Sequence, residues 1–339
     1  MTKKVGAVLV AAFVAFVYLN NTSHLTDPVG AEPVLLAHRG VAQDFSREGL
    51  TGETCTAARM LPTPHEYLEN TIPSMQAAFD YGADVVEFDV HRTTDDRFAV
   101  FHDWTVDCRT ESSGVTREFA LDSLQTLDIG YGYTADGGQT YPFRGRGVGL
   151  MPSMEEVLHT FPDRSFLIDV KGGDASEGAL LADRLAELSP ERQEQIMVYG
   201  GGVGVSVIRE RLPRIRTIWR RRLKQCLIRY AALGWTGYVS SQCERSVVMV
   251  PANYAPWLWG WPDRFLQRME AVGSRVFMIG DYQGEGFSQG FDDPKRLAKL
   301  PTDFSGGVWT DRIDLIGPAV GKEVPAVLSD SSNASERRP

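Results

Sequence analysis

Residues 85–103 read VVEFDVHRTTDDRFAVFHD. The opening VVEFDV is the continuous apolar run expected of a strand buried on both faces, yet it carries Glu87 and Asp89. Residues two apart on a strand share a face, so both carboxylates point the same way, with Val85 behind them. A buried charge is costly unless something neutralises it. A metal ion, a buried salt bridge or a strand less buried than its composition suggests would each resolve the conflict. The following apolar run, FAVFHD, ends on His102.

Working outward, short runs rich in Val, Ile and Phe alternate with longer segments of helical period, the pattern of parallel strands joined by helices. Strands are expected at 34–37, 85–90, 98–101, 166–170, 196–199, 215–219, 275–279 and 307–310, with a further short loop strand at 237–240. Helices are expected at 72–81, with Pro73 in the first turn and Gly82 near the end, and at 154–160, 179–188 and 264–272. Eight strands with intervening helices predict a (β/α)8 barrel of class α/β. Two segments exceed simple connections: a long loop after strand one, 41–68, and an insertion after strand three, 107–149. Both follow strand ends, and in a barrel such loops lie on the face where active sites form. A third segment, 243–262, reads as an insertion whose three tryptophans and a tyrosine form a satellite core, dock on lipid or cover a substrate.

Strand ends supply the chemistry. LLAHRG places His38 and Arg39 before Gly40, which permits a tight turn. LIDVK places Asp169 and Lys171 two apart. Three carboxylates from two strand ends suit Ca2+ or Mg2+, which take oxygen ligands, while zinc is disfavoured for want of a His or Cys cluster at ligand spacing. Two histidines beside a metal are candidates for general base and general acid. Arg39 and Lys171 would hold an anionic substrate, the first as a planar fork and the second as a point charge. Together these are the parts of phosphoryl transfer. Asp103 follows His102 directly and is read as a loop or cap residue on the opposite face, and His91 as a surface residue.

Bulk properties narrow the function classes. The chain has 339 residues, is 43% apolar and carries a formal charge of −9. That balance argues against nucleic acid as a partner, since phosphate backbones are bound by clustered Lys and Arg. The local basic run RTIWRRRLK, 216–224, reads as a solvated helix start. At the N-terminus two lysines precede an uncharged apolar run over residues 5–19, the layout of an export signal or a signal anchor. Either places the remainder outside the cytoplasm, periplasmic or otherwise extracytoplasmic. Disulfides persist there, and the four cysteines are expected to pair as Cys55–Cys108, between the two long loops, and Cys226–Cys243, close in sequence. Residues 1–30 are therefore read as signal or anchor, 31–326 as the barrel and 327–339 as a polar disordered tail.

HRG (38–40), ENT (69–71), EFDVHRTTDD (87–96), VFHD (100–103), PSMEEVL (152–158), IDVK (168–171) and GGVWTDRID (306–314) together resemble the glycerophosphodiester phosphodiesterase family, in the form of an exported or membrane-anchored bacterial member. The resemblance implies a (β/α)8 barrel that uses a divalent cation to hydrolyse glycerophosphodiesters to an alcohol and glycerol 3-phosphate. It implies His38 and His102 as the acid/base pair and Glu87, Asp89 and Asp169 as metal ligands. Arg39 and Lys171 would contact phosphate, with Glu69 and Asn70 around the site. Attack by the substrate's own glycerol hydroxyl, through a cyclic phosphate, and direct attack by water both stay open.

Three features depart from the family pattern. Asp169 stands where the family usually has Glu. Residues 277–280, FMIG, replace a late Trp-Thr-Val-Asn run, and the loop between HRG and ENT is long and contains Cys55. A lysophospholipid or sphingolipid head-group phosphodiesterase is the rival within the enzyme class. An inactive barrel that binds phosphate esters is the rival outside it.

Overall fold

The computed structural model describes residues 2–51, 54–284, 289–301 and 304–322. The expected tail at 327–339 lies outside the described residues. Among the described residues nine strands form one sheet: β1 (Val34–His38), β2 (Val85–Arg92), β3 (Phe98–Val100), β4 (Ser165–Val170), β5 (Ile196–Gly200), β6 (Arg216–Ile218), β7 (Val247–Pro251), β8 (Arg275–Ile279) and β9 (Gly307–Thr310). Eight of them run parallel in the order β6-β5-β4-β2-β1-β9-β8-β7. Its two ends approach each other where the Thr217 amide donates to the Arg245 carbonyl at 3.3 Å, so the sheet is a nearly closed barrel.

Two expectations are corrected. The 98–101 run is not a barrel strand, because β3 pairs antiparallel with β2, Val90 opposite Val100, and lies off the barrel path. The missing barrel strand is β7, inside the segment read as an aromatic insertion, and it pairs in parallel with β8 from Val247 opposite Arg275. VVMVP has the unbroken apolar character of a parallel strand buried on both faces, but the aromatics after it obscured the boundary. The candidate at 237–240 is not a strand; Gly237 has φ 89° and ends the short 3-10 turn Gly234–Thr236.

Strand interiors are filled in two directions. Alternate residues such as Leu36, Val85, Leu167, Met197, Met249 and Phe277 pack together inside the barrel. Their neighbours pack outward against the surrounding helices. The helix Ile72–Asp80 starts with a reciprocal cap: Thr71 accepts from the Ser74 amide while Ser74 accepts from the Thr71 amide. That cap fixes where the chain leaves residues 69–71 on the rim.

The loop after β1 and the insertion after β3 pack on each other. Ala57, Met60 and Leu68 share a second core with Val106, Leu121, Leu124, Ile129, Tyr133 and Phe143. Both expected disulfides are present, and Cys55–Cys108 joins these two segments. Such burial of about 25 cal/mol per Å2 of apolar surface lets the two excursions form one rigid wall above the barrel.

Candidate active site

Parallel register brings the strand-end residues together. His38 on β1 lies opposite Glu87 on β2, and Asp89 lies opposite Asp169 on β4. Glu87, Asp89 and Asp169 each offer a carboxylate oxygen within 4.8 Å of the others. Glu87 and Asp89 are fully buried. Lys171 Nζ lies 2.6 Å from Asp89 and 2.7 Å from Asp169. Glu87 instead accepts from the Tyr199 hydroxyl at 2.7 Å and from the Arg39 amide at 3.1 Å. Burial, and Asp89 after it, push the Glu87 carboxyl up to about 8. The cluster is thus rich in oxygen donors, and its donor set fits a hard divalent cation.

Arg39 and Asn70 both sit at positive φ, 60° and 59°. Those turns aim their side chains at the cluster. Asn70 donates to Asp89 Oδ2 at 2.8 Å and accepts from the Asp89 amide at 3.1 Å. The Arg39 guanidinium spans Glu69 at 3.1 Å and Asp89 at 3.4 Å. Gly40 follows at φ 77°, where a Cβ would meet Ser74 at 2.5 Å, so only glycine fits.

Each histidine is held through Nδ1 by a carboxylate. His38 Nδ1 is 2.6 Å from Asp311 Oδ1, beyond the end of β9, and His102 Nδ1 is 2.7 Å from Asp103 Oδ1. The reading of Asp103 as a residue on the opposite face is therefore corrected. Strand alternation does not apply there, because β3 ends at Val100 and His102 and Asp103 lie in the loop beyond. The second oxygen of Asp103 accepts from Arg109 Nε at 2.8 Å, and Arg109 continues to Glu69 at 3.3 Å and to the Tyr133 hydroxyl. His91 is also corrected: it is buried within β2, with Nε2 3.4 Å from the His102 carbonyl.

Electrostatics separate the two imidazoles. Burial, followed by Arg39 and Lys171, lowers His102 to about 4, so it is neutral at neutral pH. Burial and Arg39 also oppose the proton on His38, but Glu87 and Asp311 outweigh them and its pKa ends above the usual value. All nine expected site residues thus gather on one rim. Asp311, Asp103, Arg109 and Tyr199 join them unforeseen. Asp311 was visible within GGVWTDRID, but its proximity to His38 depends on β9 lying beside β1, which only barrel closure brings about.

A cavity of about 780 Å3 opens over this rim, lined by His38, Arg39, His102, Asp169 and Lys171 below and by Leu50, Cys55 and Tyr141 of the two long segments. The long loop therefore forms part of the cavity wall.

Residues 38–183 match the family model described as the glycerophosphoryl diester phosphodiesterase family. Among similar curated proteins, a glycerophosphodiester phosphodiesterase of Caldanaerobacter subterraneus subsp. tengcongensis is 34% identical over 103 residues, 30% of this chain and 39% of the relative. The chain thus matches about two fifths of that relative's length. Among solved structures, the glycerophosphoryl diester phosphodiesterase domain of an uncharacterised Mycobacterium tuberculosis protein superposes with TM-score 0.60 at 14% identity, covering 86% of this chain and 100% of that one. An Oleispira antarctica phosphodiesterase, solved with its product sn-glycerol-3-phosphate, gives TM-score 0.54 at 15% identity over 85% of this chain and 97% of its own. These structures share the barrel fold. With its motifs and its barrel, this chain is similar to the glycerophosphoryl diester phosphodiesterase family over residues 38–183, less than half of its length.

Proposed function

We propose that this chain hydrolyses glycerophosphodiesters to an alcohol and glycerol 3-phosphate, with the barrel as its catalytic unit. The observation that carries the reading is the meeting, on one rim, of two carboxylate-held histidines with a buried cluster of three carboxylates. Glu87, Asp89 and Asp169 would hold the cation, Ca2+ or Mg2+, which when bound supplies charge to a non-bridging phosphate oxygen. Arg39 and Lys171 would bind and orient the phosphate. Neutral His102 would accept a proton, and His38, whose proton is held more tightly, would deliver one to the departing alcohol. Glu69 and Asn70 keep Arg39 and Asp89 in position.

A lipid-linked substrate is the second reading. Trp257 and Tyr254, after β7, are 81% and 51% exposed, and the apolar helix Thr2–Asn21 ends nearby, where Ser23 bonds the Gly260 carbonyl at 2.9 Å. Residues 4–21 of that helix are long and apolar enough to cross a membrane and are unburied, as an export signal or anchor would be.

Hydrolysis of glycerophosphocholine and of its acylated counterpart tests both readings. We expect turnover of the unacylated diester that is lost in EDTA, restored by Ca2+ or Mg2+, and reduced at least about a thousandfold in His38→Ala. Activity that survives both chelation and the substitution overturns the mechanism. A clear preference for the acylated substrate moves the assignment to lysolipids.

A further inference from the structure

Four basic side chains line the cavity: Arg39, Arg47, Arg144 and Lys171. Three are committed to carboxylates. Arg39 pairs with Glu69, Arg47 with Asp311 at 2.7 Å, and Lys171 with Asp89 and Asp169. Arg144 differs. Among the described residues no carboxylate pairs with it, and its one side-chain hydrogen bond runs from Nε to the Tyr131 carbonyl at 3.1 Å.

Its guanidinium is nevertheless held in place. The central carbon lies 3.9 Å from the ring centroid of Tyr131 and 3.7 Å from that of Tyr141, so the planar group is sandwiched between two aromatic rings that also line the cavity. Stacking orders the side chain without consuming its two terminal nitrogens. A stacked guanidinium with both of these free is a preorganised fork for an oxyanion. All three residues belong to the insertion, whereas the phosphate-holding groups Arg39 and Lys171 belong to the strand ends. The fork therefore lines the same cavity from a different segment than Arg39 and Lys171.

We infer that the Tyr131–Arg144–Tyr141 sandwich is a specificity subsite for the alcohol moiety, and that it favours alcohols carrying an oxyanion, either a carboxylate or a second phosphate. The inference rests on the hydrolase reading above. A quaternary ammonium fits the subsite poorly, because the facing sides of both rings already hold a cation. The nearby acids are occupied as well: Asp44 bonds the Phe45 amide and pairs with Arg47, and Asp107 accepts from the Gly114 amide at 3.0 Å.

Two matched substrate pairs test it. Glycerophosphoserine and glycerophosphoethanolamine differ by one carboxylate, and bis(glycerophospho)glycerol and glycerophosphoglycerol differ by one glycerophosphate. We expect kcat/KM for the anionic member of at least one pair to exceed its partner's by about tenfold, the pair showing which oxyanion is read. In Arg144→Gln that ratio falls towards one. Arg144→Lys keeps part of it, and Tyr141→Leu, which leaves the charge but loosens its seat, reduces it. Circular dichroism melts verify that the variants are folded. Turnover of all four substrates with ratios near one, or a wild-type preference that Arg144→Gln retains, overturns the subsite and leaves the hydrolase reading intact. Failure to hydrolyse any of the four with Ca2+ or Mg2+ present overturns the hydrolase reading and the subsite with it.

Discussion

At the scale of single residues, the site is a chain of alternating charges. From His102 it passes through Asp103, Arg109 and Glu69 to Arg39, so the imidazole and the Arg39 guanidinium are ends of one buried network. Asp103 holds His102 through Nδ1. Asp103→Asn is expected to lower kcat by about ten- to a hundredfold with KM nearly constant, measured with its pH profile, since a misdirected imidazole loses proton transfer rather than binding. His91 offers a separate check on burial. Burial, with Lys171 adding to it, holds its imidazole near 4, while an unfolded histidine titrates near 6.5. The folded chain therefore binds fewer protons in that window, and the resulting stability is complete above 6.5 and lost as pH falls towards 4. Compared by urea melts in EDTA, His91→Gln should lag wild type at pH 8 and recover on it by about 1.4 kcal/mol per pH unit below 6.5. The pairing of the Glu87 and Asp89 carboxylates was legible because a strand period of two places them on one face. Asp103 and His91 were not, since both judgements rested on where a strand ends, and composition marks such ends poorly.

Between residues and molecule, the elements show what patterning transmits. β8 and β9 fall at the expected residues, because each is a short apolar run bounded by Gly or polar residues. β3 and β7 exchanged roles. Both are short apolar runs, and only pairing direction separates an antiparallel flap from a barrel strand. The helix expected at 179–188 begins earlier, at Ala175, because Asp174 caps it by accepting from the Glu177 amide at 2.9 Å. The wall over the cavity is an element-scale construction too, made from two excursions pinned by Cys55–Cys108. A bridge that closes a loop of this length contributes about 2–4 kcal/mol. The double variant Cys55→Ala/Cys108→Ala should lose stability in that range by denaturant melts and admit proteolysis within 41–68, while the barrel's own secondary structure persists by circular dichroism.

For the molecule as a whole, the barrel was readable from strand count and from the chemistry gathered at strand ends, whereas the way the N-terminal helix meets it was not. Nothing in an apolar run announces its neighbour. Arg268, on the helix Asp263–Ala271, donates to the Asn21 side chain at 3.0 Å and to the Asn20 carbonyl at 2.7 Å. Asn20 and Asn21 in turn donate to the Trp235 carbonyl at 3.0 and 2.9 Å, and Phe13 meets the Trp235 ring edge-on. Arg268→Ala should therefore expose the 21–33 segment to protease while moving the barrel's melting temperature by only a few degrees, as loss of a partly exposed hydrogen-bond cluster does.

That junction also decides how far the molecule can reach. A helix joined to its domain by a slack linker acts as a leash, letting the domain sweep a wide volume. Here the last turn of the helix is clasped by the barrel, so the two turn as one piece, like a mast and its hull. If the helix stands in a bilayer, the cavity mouth keeps a set height and tilt above the lipid, and substrates must come to it by diffusion along or above the surface.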